Sequence, residues 1–374
     1  MSADLFARLR RFPDVEAPNL HAVDGADRLL LDTTAAALDG ADPASVVVLG
    51  DNYGAVTLGL ADRFGLSGLR VHQDLVTGEA ALAANAEAMG LRGCFHSFPL
   101  GPELLDGARV VLARLPRGLD ELAELADAVA RWASPQVTVY AGGRDKHMTA
   151  AMNEVLTGVF ETVTATRGRQ KSRVLVASDP RPVGDPPFPV RTYLSEIGLT
   201  VVAHGGVFAG ARLDIGTRFL LAHLDAMAPQ ARLGVDLGCG TGILATVLAR
   251  SRPQMRVIAT DRSAAAVASA RATADSNGVG EQVQVVRDDA AGEMPVGSVD
   301  LVVCNPPFHL GGAVHTGAAE ALFRGAGRAL RSGGELWTVH NSHLDYRRAL
   351  QAAAGPTRVV ARNAKFTVTR STRR

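Results

Sequence analysis

The chain has 374 residues, 47% hydrophobic and 21% charged, with a formal net charge of +1. That is material for two hydrophobic cores, and it excludes both a disordered chain and a strongly basic one whose overall field alone would recruit nucleic acid. Cys94, Cys239 and Cys304 are far apart with no metal-ligand spacing, residues 1–12 lack a signal-peptide core, and no run reaches the ~18 apolar residues of a membrane span, so a soluble cytoplasmic protein with reduced thiols and no metal is expected.

Residues 1–44 read as helical, with Arg8, Arg10 and Arg11 clustered near the start. The run Ser45-Val46-Val47-Val48-Leu49 reads as a buried parallel strand, being short, continuous and β-branched. It passes through Gly50-Asp51-Asn52-Tyr53-Gly54 into a helical pattern over 55–64. A strand over 69–72, a helix over 77–89, a strand over 108–113, a helix over 118–132 and a strand over 136–141 follow. This alternation implies right-handed crossovers and a parallel sheet covered on both faces. The proline-rich stretch from Asp179 to Pro189 sustains neither helix nor central strand. It divides the chain into a first domain over 1–180, a linker over 181–192 and a second domain over 193–374.

Alternation around Gly198 predicts a hairpin over 193–207 capping the second domain, and Asp214 can cap a helix over 215–227. The strand 233–237 then leads through the tight turn Gly238-Cys239-Gly240-Thr241-Gly242 into a helix over 243–251. A strand over 256–260 ends at Asp261, a helix covers 263–277, and a strand over 283–287 ends in Asp288-Asp289. The apolar strand 299–304 runs into Asn305-Pro306-Pro307-Phe308, and a later strand covers 335–340 after the turn Ser332-Gly333-Gly334. The pattern is that of a doubly wound αβ sheet. From Pro356 onward there are six Lys or Arg and no acid, which fits either a solvated tail or an edge that contacts phosphates.

The two domains show a weak duplication: Gly50 precedes Asp74 by 24 residues and Gly238 precedes Asp261 by 23. The first copy has a bulky Asn-Tyr pair inside its turn, and Arg114-Leu115-Pro116-Arg117 where the second has Asn-Pro-Pro-Phe. It reads as a domain that keeps the fold, lacks the chemistry and positions substrate.

The chemistry of the second copy follows from its turns. Glycines at the carboxyl end of a first strand let a ligand approach the backbone. The spacing is GxGxG rather than GxGxxG, and Asp236 stands two residues before the turn. This suits a ligand whose near end carries an amine, as S-adenosyl-L-methionine does, better than one presenting pyrophosphate. Asp261 can accept from both ribose hydroxyls, and Asp289, ahead of its neighbour Asp288, from the adenine amino group. The cofactor-binding set is Asp236, Gly238, Gly240, Gly242, Asp261, Asp289 and Asn305. For catalysis, the Asn305 side-chain oxygen and the Pro306 carbonyl would accept both N–H bonds of a planar amine, localising its lone pair toward a sulfonium methyl. Phe308 would stack on the base, while His309 reads as structural ahead of substrate-touching.

With these motifs the chain resembles the ribosomal RNA guanine-N2 methyltransferases. The likeness runs through Arg11-Phe12-Pro13, Leu213-Asp214-Ile215-Gly216-Thr217-Arg218-Phe219, the stretch from Asp236 to Gly242, that from Asn305 to His309, and Gly334-Glu335-Leu336. His343-Leu344-Asp345-Tyr346, Asn363-Ala364-Lys365-Phe366 and the Arg-Phe-Pro start resemble the large-subunit, 23S rRNA branch more than the small-subunit, 16S branch. The resemblance implies two tandem Rossmann-like doubly wound methyltransferase domains, the N-terminal one degenerate. It implies S-adenosyl-L-methionine as methyl donor and ribosomal RNA as partner, with a guanine flipped or unpaired to reach the pocket; no obligate protein partner is expected. From the residues alone, a glutamine side-chain amide of a protein fits the same carbonyl grip. A non-catalytic RNA-binding assembly factor with a vestigial pocket is the reading from another class.

Overall fold

The computed structural model describes residues 3–307 and 317–374. The chain divides into two compact units, Met1–Phe188 and Pro189–Arg374.

In the first unit α1 (Ala3–Arg8) and α2 (Gly25–Leu38) precede β1 (Val46–Leu49), α3 (Ala55–Phe64), β2 (Leu69–His72), α4 (Val76–Ala88) and β3 (Phe95–Ser97). There follow α5 (Pro102–Leu105), β4 (Val110–Arg114), α6 (Leu119–Trp132), β5 (Thr138–Arg144), α7 (Ala150–Val159), β6 (Phe160–Ala165) and β7 (Ser172–Pro180). The second unit opens with the antiparallel hairpin of β8 (Val190–Leu194) and β9 (Leu199–Ala203), then α8 (Ile215–Leu221), β10 (Leu233–Leu237), α9 (Ile243–Ser251), β11 (Arg256–Asp261) and α10 (Ala264–Ser276). It continues with β12 (Val283–Arg287), β13 (Val299–Cys304), α11 (Gly317–Ala329), β14 (Leu330–Asn341), α12 (Arg347–Ala354), β15 (Thr357–Arg362) and β16 (Phe366–Thr372).

Each unit holds a seven-stranded sheet, in the orders β3-β2-β1-β4-β5-β7-β6 and β12-β11-β10-β13-β14-β16-β15. These are one topology built twice, and the fold is the expected pair of Rossmann-like αβ domains. The sheets are mixed rather than wholly parallel, because β7 and β16, one place in from the edge, run antiparallel to both of their neighbours. A short turn makes the reversal in the second unit unavoidable, since strands joined so closely cannot lie parallel. In that turn Asn363 Oδ1 accepts from the backbone N–H groups of Lys365 and Phe366 at 2.8 and 2.7 Å. The basic stretch after Pro356 is therefore folded into the sheet.

Side-chain alternation along β13 decides which face its end presents. Leu301 and Val303 enter the core on the side of α8, α9 and α10, and Val302 and Cys304 the core on the side of α11 and α12. By the same period of two, residue 305 continues the face of 301 and 303. The helix expected over 215–227 is shorter: α8 ends at Leu221, and a 3₁₀ turn covers Leu224–Ala226. Beyond Leu221 the backbone tightens to i→i+3 bonds, from the His223 N–H to the Leu220 carbonyl and from the Met227 N–H to the Leu224 carbonyl at 3.0 and 3.1 Å, and the Arg252 guanidinium also donates to the Leu224 carbonyl at 2.8 Å. Among the described residues no helix is long and apolar enough to cross a membrane.

On the opposite face, α11 packs through glycine. A Cβ at Gly325 would overlap the carbonyl oxygen of Ala290, and one at Gly327 that of Ala353. Both obstacles are backbone, so neither can rotate away. Gly325→Ala is expected to destabilise the second unit by about 1–3 kcal/mol, the usual cost of overpacking, read as a lower midpoint in urea unfolding.

Candidate functional site

Parallel pairing aligns the carboxyl ends of the central strands of the second unit. β10 meets β11 at Leu237↔Thr260 and β13 at Leu237↔Cys304. Gly238, one step beyond β10, thus stands between Asp261 on one side and Asn305 on the other, whose backbones are about 10 Å apart at the usual strand spacing. β11 meets β12 at Asp261↔Arg287, which puts Asp288 and Asp289 at the end of the next strand out. The fold brings Asp236, Gly238, Gly240, Gly242, Asp261, Asp289, Asn305 and Pro306 to one edge of one sheet. Phe308 and His309 lie outside the described residues.

The glycine turn leaves room above it. Gly238 and Gly240 have φ of 75° and 53°, and a Cβ built on either meets nothing within 4 Å among the described residues. Left-handed backbone and open space together suit a ligand laid against the chain. Gly242 serves packing instead, since at φ 73° a Cβ there would come within 2.8 Å of the Ala270 Cβ on α10.

Asp236 is 1% exposed; its Oδ2 accepts from the Ala245 N–H in the first turn of α9 at 2.9 Å, and its Oδ1 is buried without a partner among the described residues. Burial pushes its carboxyl up to about 7, with the Ala245 N–H pulling the other way and Asp261 adding to the rise. A buried, unpaired carboxylate oxygen is costly, and a cationic group set against it would recover that cost. Asp261 also shapes the turn: Oδ2 accepts from the Gly240 N–H and Oδ1 from the Ser263 N–H, both at 3.0 Å. Asp289 is exposed, whereas Asp288 is 8% exposed with its pKa raised by burial. Among the described residues no group of His, Cys, Asp and Glu could hold a metal ion.

Asn305 is held by partners that sequence reasoning did not find. Its Nδ2 donates to Asp214 Oδ2 and to Thr217 Oγ1, both at 3.0 Å. Asp214, read from the sequence as a helix cap, is that cap: the same Oδ2 accepts from the Gly216 and Thr217 N–H groups at 2.9 and 3.1 Å. With its NH2 group engaged in this way, Asn305 keeps its carbonyl oxygen buried and without a partner among the described residues. Pro306, next along, is buried and Pro307 exposed. The edge thus offers a bare amide acceptor on one strand end and a buried, half-paired carboxylate behind the adjacent turn.

The first unit repeats the geometry with other residues. β1 meets β2 at Leu49↔His72 and β4 at Leu49↔Ala113, so Gln73 and Arg114 occupy the places of Asp261 and Asn305. The sequence pairs Asp74, 24 residues after Gly50, with Asp261, 23 after Gly238; the register puts Gln73, 23 after Gly50, in that place instead. Gly50, Asn52 and Gly54 have φ of 70°, 60° and 94°, left-handed at the three places held by glycine in the second unit. Both Asp51 oxygens are taken by the Val56 and Thr57 N–H groups at 2.9 and 2.7 Å, and the Tyr53 hydroxyl donates to Asp14 at 2.6 Å. Arg114 donates to both oxygens of Asp24 at 3.1 Å and also to Asp27. A guanidinium has five N–H donors and no acceptor, so this strand end cannot receive an amine.

Comparison with known proteins finds a matching family for each unit. Residues 2–181 match the RLMG N-terminal domain and residues 198–370 the methyltransferase small domain. The ribosomal RNA large subunit methyltransferase G of Streptomyces avermitilis is 36% identical over 385 residues, covering 98% of this chain and 97% of that protein. The protein of the same name from Shewanella amazonensis is 32% identical over 374 residues, with 96% and 94% covered. Among solved structures, a T. thermophilus 16S rRNA N2 G1207 methyltransferase in complex with AdoMet and guanosine shares the fold, with a TM-score of 0.75 at 21% identity across 96% of this chain and 97% of that one.

Asp236 supplies a pH test of the site. With its folded value near 7 and an ordinary value near 3.8, the native state keeps a proton that the unfolded chain has released between those limits. Its contribution to stability is present below that window and is lost as pH rises through it. Asp236→Asn removes this dependence, so calorimetric Tm differences between variant and wild type are expected to shift in the variant's favour from pH 4.5 to 7.5.

Proposed function

Because the chain belongs to the ribosomal RNA large subunit methyltransferase G family, we propose that it transfers a methyl group from S-adenosyl-L-methionine to the exocyclic N2 amine of a guanine in 23S rRNA. The observation that carries the reading is the buried Asn305 oxygen, an acceptor without a partner among the described residues, beside a glycine turn that those residues leave uncovered. Native folds rarely leave such an oxygen unpaired without a use for it.

The residues fit the donor. Asp236 Oδ1 lacks a partner among the described residues and favours an ammonium, which the amino-acid end of S-adenosyl-L-methionine carries. Gly238 and Gly240 admit its body, Asp261 lies at the strand end expected to take the ribose hydroxyls, and Asp289 is the residue proposed for the adenine. Bound there, the cofactor supplies an electrophilic methyl group. Asn305 Oδ1 and the Pro306 carbonyl would accept the two N–H bonds of the guanine amine, holding its lone pair out of conjugation; the N–C bond would form as the sulfonium S–C bond breaks to leave a neutral thioether, and the proton lost from nitrogen would pass to solvent. Phe308 is proposed to stack on the base. This grip would hold any planar amine, and a glutamine amide is excluded only by what surrounds the site.

That surrounding favours RNA. β14 runs parallel to β13, and Asn341 at its carboxyl end pairs with Phe366, as Arg362 does with Thr367. Arg362 and Lys365 therefore lie at the same sheet edge as Asn305, as do Arg347 and Arg348 where α12 begins. All four are exposed, and residues 346–374 contain no acid. Phosphates flanking the target guanine would meet them there. The first unit, with Arg114 in place of the catalytic asparagine, is proposed to position substrate without holding cofactor. The domain limits proposed from the sequence, 1–180 and 193–374, suit this division of labour.

Asn305→Ala is expected to lower the rate of guanine methylation by about 100-fold or more while calorimetry shows S-adenosyl-L-methionine still binding; undiminished turnover would sink the reading. Replacing Arg362 and Lys365 together by glutamate is expected to weaken binding of the rRNA fragment and make the log–log salt slope shallower by about one unit or more, with cofactor affinity unchanged.

A further inference from the structure

We propose that Asp214 and Thr217 are positioning residues that fix the Asn305 amide with its carbonyl, and never its NH2, toward the reacting amine. The proposal rests on the guanine-N2 reading above. A terminal amide turns about a broad, two-fold torsion, so asparagine can present either end to a substrate. Only one end works here: an amine brings N–H donors, and an NH2 group facing it would repel it and leave its lone pair in the ring.

The choice is enforced by charge. Asp214, when ionised, is an acceptor on both oxygens, and the group 3.0 Å from its Oδ2 must be the Asn305 NH2. Turning the amide over would set a carbonyl oxygen against a carboxylate. Asp214 cannot swing aside, because the same oxygen is tied to the Gly216 and Thr217 N–H groups at the start of α8. Thr217 Oγ1 takes the second hydrogen of the NH2 group, which holds the amide plane as well as its sense.

The first unit repeats this frame independently. Asp24 is the N-cap of α2 and Asp27 its third helical residue, as Asp214 and Thr217 are for α8. The strand-end residue Arg114 binds both, as Asn305 binds both of theirs. The fold therefore builds a cap-and-third-residue clamp for whatever stands at the end of β4 or β13. In the first unit the clamped group has no acceptor; in the second it is an amide whose free end is one.

The test separates clamping from helix capping. Thr217→Val removes only the hydroxyl, leaving the backbone N–H that Asp214 caps. It is expected to lower kcat for methylation of the rRNA fragment about 10-fold or more, the scale of a slightly misplaced reacting group, with KM for cofactor and Tm unchanged. Thr217→Ser, which restores the hydroxyl, is expected to recover most of that loss. Should the valine variant unfold, Thr217→Ala read at lower temperature serves in its place. A valine or alanine variant with wild-type kcat, or a serine variant as slow as either, overturns the proposal while the guanine reading stands. A wild-type enzyme that methylates no guanine overturns both.

Discussion

Parallel pairing obliges the central strands of each sheet to finish along one edge, and nearly everything at the site follows from that. A hydrogen-bond register places Gly238 between Asp261 and Asn305, and the two-residue period of a strand turns residues 236 and 305 toward α8 and α9. No loop has to be long or finely shaped to assemble the group. The turn glycines add a feature a sheet edge lacks, a backbone whose Cβ positions meet nothing within 4 Å among the described residues.

Much of this was legible in one dimension. The strands over 233–237, 283–287 and 299–304 and the helices over 55–64 and 243–251 have the bounds expected of them, because continuous β-branched runs and glycine punctuation are local signals. The glycine turn and Asn-Pro-Pro-Phe were legible for the same reason. The clamp on Asn305 was not: Asp214 and Asn305 are 91 residues apart, and Asp214 has a sufficient local explanation as a helix cap. Helix capping and amide clamping use the same oxygen, so the first explanation hid the second. The buried state of Asp288 and the exposed state of Asp289 were also hidden, since two adjacent acids at a strand end carry no signal of which one turns inward.

The two halves show how little separates a grip from a strut. Their strand orders coincide, their turns have left-handed residues at the same three places, and their helix starts hold the same strand-end position. What differs is polarity. In the second half a neutral amide meets one carboxylate and one hydroxyl; in the first a guanidinium meets two carboxylates, and Asp51 spends both oxygens on its own helix.

That difference has a cost attached. Arg114 is the counter-ion of Asp24 and of Asp27, which is 3% exposed, so replacing Arg114 by asparagine would take from two neighbouring acids the guanidinium they share. Stranding buried charge in this way is among the costlier changes a fold can suffer. The order of change therefore matters: removing the guanidinium first strands both acids, whereas replacing Asp27 first leaves Arg114 paired with Asp24.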